Sequence, residues 1–274
     1  MIIVRLTGGL VNQLFQYAFG RALSEKTGQR LYFDAEIFNK KKGIRRYELN
    51  KFAREPNCSI PLYIRILISL RHIAKRFLKK VDQIGPVRFY DESHIFCFDE
   101  QVVYKCRAGI DYYDGYWQSP LYFNDIRSLL LKDLKLKLPP SSLSLSLSEV
   151  MQKENAVSIH VRRGDYVTSS HGLCSIEYYQ QAVDLFVKEE KEVSFYIFSD
   201  DIPWTKTNLK IDQAPVHYVE HTSDLINYED LHLMSICKHN IIANSSFSWW
   251  GAWLNEHPLK QVIAPKNWGI DGFD

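Results

Sequence analysis

The stretch Val157-Ser158-Ile159-His160-Val161-Arg162-Arg163-Gly164-Asp165-Tyr166 constrains the fold more than any other. An apolar run stops abruptly at a cluster of His, two Arg, Gly and Asp. The apolar part has the character of a buried strand in a parallel sheet. The polar part then falls at the strand's carboxyl end, where open α/β sheets hold their ligands. Two adjacent guanidiniums there are costly to desolvate unless an anion or a carboxylate receives them. On the residues alone two outcomes stay open: a ligand anion, or a structural ion pair such as Arg163 with Asp165.

The same pattern recurs downstream. A helix is expected over 177–190. A strand over 193–198 ends in Ser199-Asp200-Asp201. A short strand over 215–219 and a helix over 227–238 follow. A strand over 240–243 runs into Asn244-Ser245-Ser246-Phe247-Ser248 and a helix over 249–256, and a late strand is expected over 261–264. Repeated βα units with polar strand ends define a doubly wound sheet. Such a sheet brings the three polar clusters to one edge. Their contents suit a nucleoside diphosphate: Arg162 offers a bidentate fork, and Ser245 and Ser246 precede a helix whose N–H groups suit an anion. Serines there also cap helices, and both roles can hold at once.

The first half opens with a strand over 2–6, the turn Thr7-Gly8-Gly9-Leu10-Val11-Asn12-Gln13 and an apolar helix over 14–23. The glycines permit a tight turn and close ligand approach, yet the GxGxxG fingerprint is absent, so a plain βα turn is equally consistent. A second strand is expected over 31–34. Lys40-Lys41-Lys42 and Arg45-Arg46 read as a solvated loop. Residues 61–81 form a basic amphipathic helix, with Ile64, Leu67, Ile68, Ile73, Phe77 and Leu78 on one face. It fits packing on its own domain, and an anionic membrane surface stays open. The aromatic run 110–123 suits a sugar-facing wall or an interdomain core. Pro139-Pro140 and the Ser-Leu alternation that follows make 139–150 the best linker candidate.

Net charge is +2, from 34 basic and 32 acidic residues, so bulk charge does not argue for nucleic acid. Five scattered cysteines without a CxxC point to reduced thiols and a cytosolic chain. The opening Met1-Ile2-Ile3-Val4-Arg5 reads directly as a strand, so no signal peptide is expected. Asp200-Asp201 lacks further acidic ligands. His217 and His221 lie four apart, but in a stretch of strand character. Neither makes a convincing metal site, and local spacing suggests no Ser/His/Asp or Cys/His nucleophile.

These motifs resemble a known family. Gly8-Gly9-Leu10-Val11-Asn12-Gln13-Leu14-Phe15-Gln16, Tyr116-Trp117-Gln118, His160-Val161-Arg162-Arg163-Gly164-Asp165-Tyr166, Phe198-Ser199-Asp200-Asp201 and Asn244-Ser245-Ser246-Phe247-Ser248-Trp249-Trp250-Gly251-Ala252-Trp253-Leu254 are similar, in order and over nearly the whole chain, to bacterial α-1,2-fucosyltransferases. These form glycosyltransferase family 11, in the superfamily of the α-1,6- and protein O-fucosyltransferases. The resemblance implies an α/β fold of GT-B type, with two Rossmann-like domains facing across a cleft. The acceptor-side domain would span 1–138, the linker 139–150 and the GDP-fucose-binding domain 151–274. It implies inverting, metal-independent transfer of L-fucose from GDP-β-L-fucose, a substrate and not a cofactor, to the 2-hydroxyl of a terminal galactose. The acceptor would be a cell-surface or O-antigen-type glycan or a lipid-linked oligosaccharide. The enzyme would be cytoplasmic, with peripheral contact to the inner membrane face through 61–81 left open.

By the same resemblance Arg162 holds the diphosphate, and His160 and Asp230 read guanosine. Ser245, Ser246 and Phe247 border the phosphates and fucose, and Gly9 lies on the donor side. Asn12 sits in the cleft beside the donor, and Asp165 and Asp200 shape the site. Arg162, Asp165 and Asn12 are the catalytic candidates, and Tyr116, Trp117 and Gln118 the acceptor candidates. Asp165 and His171 are possible bases by position only. The alternatives are a GDP-sugar-binding protein without transfer, and a transferase of α-1,6 or O-linked type. Two departures stand out. Val11 replaces a usual glycine, which implies a less open turn. The chain stops soon after Pro265-Lys266-Asn267-Trp268, which implies a short C-terminal closing segment.

Overall fold

The computed structural model describes residues 1–39, 45–104, 108–137, 140–168, 172–220 and 227–268. Lys40-Lys41-Lys42, Cys106, His171, His221 and 269–274 lie outside the described residues. The chain divides into two compact units, Met1–Leu138 and Pro139–Asp274.

The first unit runs β1 (Ile2–Arg5), α1 (Leu10–Thr27), β2 (Leu31–Asp34), α2 (Leu62–Ala74), β3 (Gln83–Ile84), β4 (Val87–Asp91), α3 (Glu100–Tyr104), β5 (Ile110–Asp114) and α4 (Arg127–Asp133). Its sheet has the order β2-β1-β5-β4-β3 and is parallel except for the β3–β4 hairpin. Ile2, Ile3 and Val4 are wholly buried. That is why β1 is continuously apolar: a strand buried on both faces has no solvent side to alternate towards. The aromatic run 110–123 forms β5 and the turn after it, and it packs inside this unit. Phe19 of α1 stacks on Trp117 at 4.3 Å and meets Tyr113 and Tyr122 edge-on at 5.3 and 5.1 Å. Such ring pairs add roughly 0.5–1.5 kcal/mol beyond their buried area.

Helix α1 leaves the sheet through Gly8, at φ +76°, and ends at Gly28, a left-handed C-cap whose N–H donates to the Ser24 carbonyl. Val11 lies in the first turn of α1, on helical backbone that needs no glycine. The helix is anchored by a buried charge. Asp133, at the end of α4, accepts from Tyr17 Oη and from Arg21 Nε, each at 2.9 Å. Burial, reinforced by Asp133, pushes the Tyr17 hydroxyl's pKa upward.

The second unit runs α5 (Ser142–Met151), β6 (Asn155–Val161), α6 (Ile176–Glu189), β7 (Val193–Ser199), α7 (Ile202–Asn208), β8 (Val216–Tyr218), α8 (Asn227–Ile236), β9 (His239–Ile241), α9 (Ser246–Leu254) and β10 (Val262–Ile263). Its sheet, β10-β9-β6-β7-β8, is parallel throughout. Short polar caps set the helix starts: Ser141, Ser175, Asp201 and Ser245 each accept an N–H two or three residues ahead.

The stretch read as a linker, 139–150, is corrected. Most of it is α5, and it belongs to the second unit. The reason is a buried carboxylate. Glu229 of α8 accepts from the Ser141 hydroxyl at 2.6 Å and from Ser144 Oγ at 2.5 Å, so serines form the inward face of α5. Leu143, Leu145 and Val150 stay exposed.

The Asp133 anchor gives a stability prediction. Asp133→Ala leaves the buried Arg21 Nε and Tyr17 hydroxyl without their acceptor, although Arg21 Nη1 keeps Glu25 at 2.8 Å, and is expected to cost about 3 kcal/mol. Arg54→Ala, which removes an exposed partner 3.8 Å from the same carboxylate, is expected to cost under about 1 kcal/mol. Urea denaturation of both variants measures the difference.

Candidate functional site

The site in the second unit follows from strand register. In the β6–β7 pairing Val161 lies opposite Ser199, so the residues just beyond each strand also come side by side. Arg162 Nη1 meets Asp200 Oδ2 at 2.9 Å. The other Asp200 oxygen accepts the Arg163 backbone N–H at 2.8 Å. One carboxylate thus fixes both the guanidinium and the turn that carries it. The Arg162 side chain is still 29% exposed, open enough for a ligand to reach.

Arg163 has a different job. Its Nε lies 3.3 Å from Asp201 Oδ2, and its guanidinium sits 3.5 Å from the centre of the Trp204 ring. Asp201 also caps α7 by accepting the Trp204 N–H. Arg163 therefore ties β6 to the start of α7. Among the described residues its carboxylate partner is Asp201. The side chain of Asp165 lies outside the description. Gly164 is required by packing: a Cβ there would fall 2.5 Å from Asp200 Oδ2.

His160 is the last residue but one of β6 and is 4% exposed. Its Nδ1 has no partner among the described residues, and its ring lies 5.6 Å from that of Phe247. Burial, with the Arg162 charge adding to it, lowers its pKa to about 3. The imidazole is neutral at physiological pH.

The third strand end supplies a helix N-terminus. Ser245 caps α9 and accepts the Phe247 N–H, and Ser248 Oγ accepts the Ala243 N–H. Asn244 donates to the Gly172 carbonyl at 3.2 Å and to that of Trp268 at 3.4 Å. Ser245 is buried, whereas Ser246 and Phe247 are half-buried. The rest of the motif is packing. Trp250 is fully buried among Trp249 and Trp253, and a Cβ on Gly251 would lie 2.9 Å from Met234 Cβ of α8. The neighbour of Asp230, Glu229, faces α5 as described above. Asp230 lies next along α8 and is half-buried.

The first unit holds a second polar turn. A Cβ on Gly8 would collide with the Asn12 amide. Asn12 Oδ1 accepts from Gln118 Nε2 at 2.8 Å. Two wholly buried glutamines, absent from the sequence-based site list, lock this turn. Gln13 donates to the Gly8 and Arg46 carbonyls and accepts the Glu48 N–H. Gln16 accepts the Thr7 N–H and donates to the Gly115 carbonyl. Their signal was legible: two glutamines spaced by three at the start of the apolar run of α1. Glu92 gave no such signal. It accepts the Tyr116 and Trp117 N–H groups at 2.7 and 2.9 Å and holds Trp117 at φ +57°. Burial raises the Glu92 pKa, against these two donors.

Of the expected acceptor residues, Tyr116 and Gln118 are half-buried, and Gln118 bonds Asn12, but Trp117 is corrected. Its indole is wholly buried against Phe19, so it serves the core. His217 stacks on Tyr196 at 4.8 Å.

Two α/β units, each built on a five-stranded, mostly parallel sheet, have the architecture of the GT-B type. The model for glycosyl transferase family 11 matches residues 1–274, and the chain belongs to that family. It is 31% identical to an α-1,2-colitosyltransferase of Escherichia coli, over 98% of this chain and 92% of that one. It is 30% identical to the O-antigen biosynthesis glycosyltransferase WbnK of Escherichia coli, over 96% and 93%. A solved structure of an Arabidopsis thaliana FUT1 variant in complex with GDP shares the fold, with TM-score 0.59 and 13% identity, covering 98% of this chain and 71% of that one.

The neutral His160 predicts a pH dependence. Its folded pKa lies below the ordinary histidine value of 6.5. The unfolded chain therefore binds a proton that the folded site refuses. The stabilisation is complete above pH 6.5 and is lost as the pH falls towards 3. Stability of the wild type should fall more steeply across that window than that of His160→Asn. Urea unfolding at a series of pH values checks this, and coincident slopes would mean the ring is not held neutral.

Proposed function

We propose that this family 11 glycosyltransferase moves L-fucose from GDP-β-L-fucose to the 2-hydroxyl of a terminal galactose, in a glycan of O-antigen type. The observation that supports it most is the convergence of Arg162, Asp200 and the N-terminus of α9 at the ends of adjacent parallel strands. The motifs that carry these residues resemble those of α-1,2-fucosyltransferases.

In this reading Arg162 and the N–H groups at Ser246 and Phe247 bind the donor diphosphate. His160 and Asp230 read the nucleoside. The acceptor oxygen attacks the fucose anomeric carbon as the bond to phosphate breaks, with inversion, and GDP leaves with the bonding electrons. Negative charge grows on the diphosphate. Arg162 and the helix end take it up without reorganising, and no metal is called on. The acceptor proton goes to a base for which Asp165 and His171 are candidates by position only, or to an oxygen of the leaving diphosphate. The turn at Gly9 and Asn12, with Tyr116 and Gln118, is assigned to the substrate side of the first unit.

The similarity to a colitosyltransferase raises one specific second reading, GDP-colitose as donor. Colitose lacks the 3-hydroxyl of fucose. A site built to hydrogen-bond that hydroxyl rejects the deoxy sugar strongly, whereas a site that merely tolerates it does not. Transfer assays with both donors onto β-galactosides, with the linkage read by NMR, decide between them. Fucose in α-1,2 linkage is expected; no transfer from GDP-fucose would sink the assignment.

Arg162→Ala is expected to lower kcat/KM by about 10²-fold or more, the usual effect of removing one charge-stabilising donor. Arg163→Ala should act mainly through stability, seen as a lower Tm with a smaller kinetic loss. Equal and mild kinetic losses in the two variants would contradict the separate roles.

A further inference from the structure

Helix α2 and the turn after it expose more apolar surface than packing explains. Ile64 and Ile68 face the core, together with Arg71, which donates to the Val81 carbonyl and to Asp91. Tyr63, Ile66, Leu70, Ile73 and Phe77 recur at steps of three and four and form a second stripe on the solvent side. Leu62 and Leu78 extend it at either end, at 70% and 57% exposure, and Phe77 is 83% exposed. The turn continues the helix far enough to carry the stripe, since the Phe77 and Leu78 N–H groups both donate to the Ala74 carbonyl. This corrects the expected single apolar face: Ile73, Phe77 and Leu78 look outward while Ile64 and Ile68 look in. A contiguous exposed stripe of this kind marks an interaction surface.

Its charge identifies the partner. Residues 56–81 contain no Asp or Glu, yet they carry Arg65, Arg71, Lys75, Arg76, Lys79 and Lys80, in a chain whose net charge is only +2. Arg65 is engaged by Glu36, Lys75 by Asp91 and Lys80 by Asp82. Arg76 and Lys79 have no acidic partner among the described residues. A second copy of this chain would set two such cationic faces against each other, and like charges at an interface oppose association. An anionic bilayer surface accepts both features together, the apolar stripe among the acyl chains and the cations at the headgroups. Among the described residues no helix is long and apolar enough to cross a membrane, so the mode is in-plane docking.

We propose that 62–80 is a docking surface for an anionic phospholipid bilayer, with α2 lying in the interface plane. The test uses the full chain and phosphatidylcholine vesicles with and without phosphatidylglycerol, at low and physiological salt. Co-sedimentation should require phosphatidylglycerol and weaken with salt. The double variants Leu70→Ser/Phe77→Ser and Arg76→Glu/Lys79→Glu should each weaken partitioning by about tenfold or more. Both should keep the wild-type Tm, because the changed side chains are exposed, and both should keep transfer onto a soluble acceptor. That readout separates failure of docking from failure of the catalytic reading. Absence of binding to either vesicle would overturn the proposal, as would binding insensitive to all four substitutions. So would a wild-type dimer by light scattering that Leu70→Ser/Phe77→Ser converts to monomer without lipid.

Discussion

The pairing register of β6 with β7 is the constraint on which the site rests. Slipping a parallel pair by one residue would bring different residues of each strand side by side and move its apolar set to the other face, so the core fixes the register firmly. With Val161 opposite Ser199, Arg162 falls beside Asp200 and Arg163 beside Asp201. Two guanidiniums that looked redundant in sequence thereby acquire distinct partners. One is held at the surface by a carboxylate that also fixes its own turn; the other is committed to a ring and a helix cap.

The two units solve the same local problem by different means. Each sends a strand into a turn that must stay open. In the second unit, Gly164 leaves room for the Asp200 carboxylate, and charge holds the turn. In the first unit Gly8 makes the bend, and neutral amides hold it through Gln13, Gln16 and the Asn12–Gln118 bond. Buried amides avoid the large desolvation cost of buried ions while satisfying several backbone groups at once. Glu92 is the exception, and its raised pKa is the cost of putting a carboxylate there.

The second unit was far more legible in sequence than the first. Its strands end in polar clusters and alternate with amphipathic helices, so strand ends, helix starts and most candidate donor residues could be read in order. In the first unit β3, β4, α3, β5 and α4 gave no clear signal. β5 carries Tyr112 and Tyr113 buried side by side between aspartates, which has neither strand alternation nor helical spacing, so the aromatic run suited a sugar-facing wall and an interdomain core equally. The 139–150 stretch misled for the opposite reason. Its Ser-Leu alternation suggested loop or strand, but the inward face of α5 is serine because Glu229 supplies an acceptor that leucine could not use. Partners distant in sequence, such as Glu229 for Ser144 or Glu92 for Trp117, leave no trace in local pattern.

The neutrality of His160 sharpens the division of labour at the strand ends. A ring this buried beside a guanidinium cannot also hold a proton, because desolvation and the neighbouring charge act in the same direction. It can exchange hydrogen bonds with a neutral group, such as a nucleoside edge, but it cannot compensate a diphosphate. In the proposed reading, countercharge for the diphosphate falls to Arg162 and to the N-terminal turn of α9. Arg163, the cation next to Arg162 just beyond β6, is engaged by Asp201 and Trp204. The histidine and the arginine two residues apart are thus different in kind: burial, with the Arg162 charge adding to it, keeps His160 neutral, while Arg162 keeps its charge at the strand end, held by Asp200.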